Sequence, residues 1–255
     1  MYKIIDLSVT HEHNATEPNP PQITQSSHSE GAKRLAKIAG INSTDFPDES
    51  ALATDFITAG AHAGTHVDAP YHYGPESEGK PAKTIDEVPL EWCFGPGVVL
   101  DMRHKNPGDE ITVADIVTAL EKINYQLKPG DIVLFQTGCD KYWGVDYQLY
   151  MDSQSGLGVQ GLAWLLDQGI KSIGIDAWTL DRPVTSMVEA YRKSGDKNEL
   201  WPSHLYGRKK EYLQIEKLAN LDKLPSPYGF LISALPIKLK GGTAGWCRAV
   251  ALIPE

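Results

Sequence analysis

Cysteine is scarce in this chain. The three present, Cys93, Cys139 and Cys247, lie far apart and form no Cys-x-x-Cys pair. That argues against a thiolate metal site and for a reducing compartment, so the protein is expected in the cytoplasm. Long apolar runs are also missing: none approaches the ~18 residues that a membrane span requires. Residues 1–10 lack both the basic segment and the apolar segment of a signal peptide. Positive charge is in deficit, with 24 Lys and Arg against 33 Asp and Glu and a formal net charge of -9. Nucleic-acid binding requires basic patches. The one small cluster, Arg208-Lys209-Lys210, reads as a solvated face. Neither nucleic acid nor membrane is therefore expected as a partner, and a small molecule is. No internal repeat and no low-complexity segment interrupts the 255 residues.

What remains has the composition of an ordinary soluble globular protein, 41% hydrophobic and 22% charged. The length suits one α/β domain over residues 1–255 with a single core. Tyr2 to Leu7 reads as a strand, and His11 to Gln25, rich in Pro, Asn and Thr, as a long ordered loop. Ser29 is placed to cap a helix over 31–39 that Gly40 ends. Thr54 to Ala59 reads as a strand leading into a histidine-rich stretch. Beyond it, strands are expected at 97–101, 131–136 and 171–175, alternating with helices at 112–122 and 159–168. Thr112 and Asp115 stand at capping-box spacing for the first of these helices. The last third reads as β, with buried strands over 228–234 and 246–253. The pattern predicts a mixed α/β fold with helices covering a sheet.

Chemistry concentrates in His62-Ala63-Gly64-Thr65-His66-Val67-Asp68-Ala69-Pro70-Tyr71-His72, three histidines and a carboxylate in eleven residues. In extended backbone His66 and Asp68 point to one face, and a bend at Gly64 lets His62 join them. Two His and one carboxylate form a natural metal site. A helical His-x-x-x-His arrangement is disfavoured by Gly64, Thr65, Val67 and Pro70, and no Glu stands at 63 to complete a zincin motif. The isolated histidines His11, His13, His28 and His104 read as surface or packing residues.

The stretch resembles the His-x-Gly-Thr-His-x-Asp-x-Pro-x-His motif of the cyclase-like metal-dependent hydrolases, the family of bacterial kynurenine formamidases and isatin hydrolases, with every fixed position matched. Ile5-Asp6-Leu7-Ser8 is similar to that family's first strand. The resemblance implies a swivelling β/β/α fold, a mixed sheet with helices around it, and a homodimer or homotetramer. It implies that His62, His66 and Asp68 bind a divalent metal and that His72 is the general acid/base. It further implies a distant His and Glu closing the site. His204 and Glu216 stand twelve apart, followed by Leu218-Ala219-Asn220-Leu221, and Glu211 is a nearby rival. Such a ligand set suits Zn²⁺ or Mn²⁺, as one ion or two.

The residues themselves rationalise hydrolysis of a C–N bond. A metal lowers the pKa of bound water toward ~7, and a group titrating near neutrality must protonate the leaving nitrogen. His72, held near the metal by Pro70, is the candidate. The same set serves a lactone or ester hydrolase, a lyase or an isomerase, or a metal-binding protein without catalysis. Trp201, Trp178 and Phe46 are candidate walls of a substrate pocket. Arg182 is a candidate carboxylate anchor, or else the salt-bridge partner of Asp181 or another acid. Compared with kynurenine formamidases the chain carries extra length over about 11–53 and 176–203, and both extensions are expected to border the site.

Overall fold

The computed structural model describes residues 1–13 and 16–255. Its framework is a nine-stranded sheet. Four strands, Phe94–Asp101, Ile132–Gln136, Ser172–Ile175 and Leu213–Glu216, pair in parallel at its centre, the last three buried along their whole length. Parallel strands are characteristically covered on both faces. Antiparallel strands flank them. Phe230–Ser233, Val250–Pro254 and Tyr2–Asp6 follow on one side, and His66–Asp68 and Ala244–Trp246 on the other.

The sheet cannot be flat. Ala244–Trp246 is the ninth strand in order and Val250–Pro254 the second, yet only Cys247, Arg248 and Ala249 connect them. Seven strand spacings in a flat sheet would separate them by about 34 Å, whereas the connecting backbone reaches about 14 Å. The sheet therefore curls until its ends approach each other. Hydrogen bonds from Cys247 N to Thr65 O (3.1 Å) and from Leu7 N to Ala249 O (2.9 Å) tie the ends together. Inside the curl Ile5, Val67, Val99, Leu134, Ile215 and Ala251 share one apolar cluster. Alternate residues of the same strands, such as Val98, Val133 and Ile173, face outward. There the helices Val113–Lys122 and Val159–Asp167 cover them through Ile116, Leu120, Leu162 and Leu165.

Local chemistry explains where elements start and stop. Asp115 N donates to the Thr112 hydroxyl (3.3 Å) and Thr112 N to the Asp115 carboxylate (2.8 Å), so this helix begins at its expected capping box. The first helix runs from His28 to Ala39 and is capped by Ser27, paired with Glu30, in place of Ser29. Glu30 supplies the reciprocal acceptor that fixes the cap two residues earlier. Gly40 closes the helix in the left-handed conformation, φ 69°. Gln22–Ser26, whose first four residues fall in the loop expected over 11–25, forms a strand antiparallel to Thr54–Thr58, and this ribbon stands apart from the main sheet. Asn14 and Ala15 of the same expected loop lie outside the described residues. The expected single strand over 246–253 is two strands, broken at the short link that closes the curl. Two helices at Val184–Ser194 and Pro202–Tyr206 and the strand Leu213–Glu216 were not anticipated from sequence. Among the described residues no helix is long and apolar enough to cross a membrane.

Burial pushes the thiols of Cys93 and Cys247 up to about 12 and that of Cys139 higher still. A thiolate is the reacting species, so native protein at pH 8 should leave all three cysteines unlabelled by iodoacetamide. Mass spectrometry should count three labels only after denaturation.

Candidate metal centre

The site starts from strand register. Glu216 lies directly opposite His66 across an antiparallel pair, and Gln214 lies opposite Asp68. Val67 and Ile215 between them point into the curl, so His66, Asp68 and Glu216 share the other face. His62 is turned onto that face by the segment 61–65, where Gly64 adopts φ 60°. A Cβ at Gly64 would also stand 2.8 Å from His11 Nδ1, so glycine meets a conformational and a steric demand together. His204 arrives from the five-residue helix Pro202–Tyr206.

These side chains converge. Asp68 Oδ1 lies 2.8 Å from His62 Nδ1 and 3.2 Å from His66 Nε2, and the two imidazole nitrogens are 3.3 Å apart. Glu216 Oε2 is 3.7 Å from His66 Nε2. His204 Nε2 is 3.6 Å from Glu216 Oε1 and 3.8 Å from Asp68 Oδ2. Glu211 does not join them: it pairs with Lys83 at 2.6 Å, leaving Glu216 as the carboxylate of the cluster.

Each imidazole is tethered through its far nitrogen. His66 Nδ1 donates to Gly64 O (2.9 Å), which leaves the lone pair on Nε2. His204 Nδ1 donates to Asp181 Oδ2 (2.6 Å), and His62 Nε2 meets the Thr243 hydroxyl at 3.0 Å. Second partners of this kind fix the tautomer and orientation of metal-binding histidines. Asp181 also accepts from the backbone N–H groups of Ser203 (2.7 Å) and His204 (3.2 Å). Glu216 Oε1 accepts from Leu180 N at 2.9 Å.

The donor set fits a divalent cation. Both Asp68 oxygens are buried; among the described residues Oδ1 has only the His62 and His66 imidazoles as partners, and Oδ2 comes no closer to His204 Nε2 than 3.8 Å, a costly state for a carboxylate. Its carboxyl nevertheless lies well below the usual range, because burial is outweighed by the charge of His66 and by contacts with His62 and His66. Glu216 is raised by burial and by the neighbouring Asp68. His204 rises to about 9, since hydrogen bonding and charge from Asp181 overcome burial, and His62 rises for the corresponding reason beside Asp68. All of these directions express one demand, positive charge between two buried carboxylates. The ligating atoms of His62, Asp68 and His72, and those of His66, Asp68 and Glu216, each lie within 4.8 Å of one another. Asp68 belongs to both groups.

His72 occupies the exposed side of the cluster, on the short helix Pro70–Tyr73. Its ring centroid is 4.1 Å from that of His62 and 5.5 Å from that of His204. Desolvation, reinforced by the three other histidines, lowers it to about 4, below the near-neutral range expected of it from sequence, so that at neutral pH the ring is unprotonated and able to accept a proton.

The remaining candidates divide. Trp178 is half-buried against the helix-side core, two residues before Leu180, whose N–H holds Glu216. Trp201, at φ 48°, starts the helix that carries His204. Both therefore border the cluster along the chain. Phe46 stands between two single 3-10 turns near the separate ribbon, and no contact described above brings it to the histidines. Arg182 is not a free anchor: it pairs with Glu199 at 2.8 Å. Asp181, its neighbour, is the residue that reaches the site. Of the 11–53 extension, Glu17 touches the site through Gly64 N (2.9 Å). A cavity of about 560 Å³ lined by Asp101, Arg103, Lys122, Gln136, Leu221 and Pro227 contains none of the clustered residues.

A mixed, curled sheet whose antiparallel flank presents a buried histidine and carboxylate cluster defines an α/β domain with a candidate metal centre. The chain belongs to the Cyclase family, whose pattern it matches over residues 5–182. It is 27% identical over 216 residues to the isatin hydrolase of Roseibium aggregatum, covering 80% of this chain and 76% of that one. It is 30% identical over 194 residues to the kynurenine formamidase of Paracidovorax citrulli, covering 76% of each. Its fold superimposes on isatin hydrolase A from Ralstonia solanacearum with a TM-score of 0.78 at 22% identity, covering 99% of this chain and 92% of that one. His204 and Glu216 fall beyond the segment matched by the family pattern.

Proposed function

We propose that this protein is a metal-dependent hydrolase that cleaves the C–N bond of a small amide, a formamide or a lactam among them. The observation that carries the reading is the convergence of His62 Nδ1, His66 Nε2 and Asp68 Oδ1 within 3.3 Å of one another. The isatin hydrolase and kynurenine formamidase relatives support the class of bond. The ligands are nitrogen and oxygen only, which suits Zn²⁺ or Mn²⁺. His62, His66 and Asp68 would hold one ion, with His204 and Glu216 completing that site or contributing to a second.

An ion held there would supply Lewis acidity, lowering the pKa of a water toward neutrality. The protein's own groups do the rest. Asp181 and Thr243 keep two imidazoles facing inward, and Glu216 is steadied by Leu180 N–H. His72, beside His62 on the open side, receives a proton at its ring nitrogen and returns it to the departing nitrogen, without which the C–N bond does not break. Trp178 and Trp201, each a few residues along the chain from a group of the cluster, would supply apolar walls for an aromatic or acyl group.

Zn²⁺- and Mn²⁺-loaded protein assayed on formamides, lactams, imides and lactones should turn over the nitrogen substrates. Turnover of lactones alone, or of nothing, rejects the proposal. His72→Ala should keep full metal content by plasma emission spectroscopy and lose ~10²- to 10⁴-fold in kcat/KM; loss of metal would make His72 a ligand. Asp181→Asn halves the acceptor oxygens available to three N–H groups. It should weaken Zn²⁺ binding ~10- to 100-fold in competition with a chromophoric chelator.

A further inference from the structure

Glu17 and Lys217 form a buried ion pair directly behind the histidine turn. Their side chains are only 5% and 3% exposed. Lys217 Nζ lies 2.7 and 3.0 Å from the two Glu17 oxygens and 2.8 Å from His62 O. An ammonium has three N–H donors, so all of Lys217's are committed and none is left for substrate. Glu17 Oε2 accepts in addition from Gly64 N at 2.9 Å. The pair thus grips the two peptide groups on either side of Ala63, the carbonyl of His62 and the N–H of Gly64. The next carbonyl, that of Gly64, orients His66 through Nδ1. On its other side the Lys217 carbonyl accepts from the Thr65 hydroxyl, and Lys217 follows Glu216 in sequence at φ 57°. One residue therefore joins the turn between the first two histidines to the strand that brings the distant carboxylate.

A buried ion pair gains little for stability over an apolar pair of similar volume, so what this pair contributes is to be sought in the backbone groups it holds. We propose that Glu17 and Lys217 are positioning residues that preset the His62–His66 turn against Glu216, so that a segment far upstream of the histidine motif sets the metal affinity of the site. The inference rests on the cluster being a metal centre. Residue 17 acts through Gly64 and Lys217 and touches neither ion nor substrate.

Co²⁺ is a suitable probe, because its visible spectrum reports coordination geometry independently of turnover. Glu17→Gln places one acceptor oxygen where three donors converge and turns an amide N–H₂ toward a donor. It should lower Co²⁺ affinity ~10- to 100-fold and alter the visible bands. The double variant Glu17→Leu/Lys217→Met strands no buried charge and should remain folded by circular dichroism, yet show the same loss, because His62 O and Gly64 N are left ungripped. Leu120→Ala, in the helix-side core, should lower the urea midpoint and keep Co²⁺ affinity and spectrum intact. Wild-type affinity and spectrum in Glu17→Gln would overturn the proposal and leave the pair merely structural. Normal binding by the double variant alone would do the same, tracing the effect to a stranded charge. Wild-type protein that binds no Co²⁺, Zn²⁺ or Mn²⁺ would instead remove the metal centre itself, and this proposal with it.

Discussion

The pairing of His66 with Glu216 across two antiparallel strands is the constraint on which the rest of the centre depends. Strand side chains alternate with a period of two, so a slip of one residue would turn His66 and Asp68 into the curl and expose Val67 to the cluster. The apolar interior prevents that slip: Val67, Ile215 and their neighbours fill it. Packing on one face of the sheet thereby fixes chemistry on the other. The loops then add what a sheet cannot, His62 through the Gly64 turn and His204 through a short helix.

Electrostatically the centre is a small volume in which two carboxylates are withdrawn from water. Such groups are tolerated only when paired, protonated or bound to a cation. The surrounding histidines respond in opposite ways. His204 and His62 are drawn toward the protonated form by Asp181 and Asp68, whereas His72, crowded by three imidazoles, is driven toward the neutral one. His62 and His72 thus behave oppositely although both lie in one short stretch. The distinction arises from what each ring meets behind it.

Features that depend on neighbours in sequence were legible. Thr112 with Asp115, Gly40, and the extended His66-Val67-Asp68 follow from local propensity and periodicity, and the long motif indicated the family. The expected His204 and Glu216 do meet the motif in space, and Lys83 draws Glu211 away. Features set by distant partners were not legible. Asp181 looked like a partner for Arg182 because they are adjacent, yet the backbone turns one toward His204 and the other toward Glu199. Glu17 and Lys217 are two hundred residues apart, and nothing in either neighbourhood marks them. The run over 246–253 is apolar throughout its strands, so periodicity alone gave no sign that three residues within it carry the chain across the closure of the sheet.

That closure bears on the order of events during synthesis. Among the described residues the strand His66–Asp68 has as hydrogen-bonded neighbours only Leu213–Glu216 and Ala244–Trp246. Among them, too, Tyr2–Asp6 pairs only with Val250–Pro254. During synthesis the histidine motif therefore stays unpaired until residues 213–216 have left the ribosome, and half-paired until 244–246 have, while the three earlier central strands and their helices can already assemble. Loop closure between such distant segments is slow. The metal-binding face is accordingly among the last parts to take shape, and it forms in the same event that seals the curl.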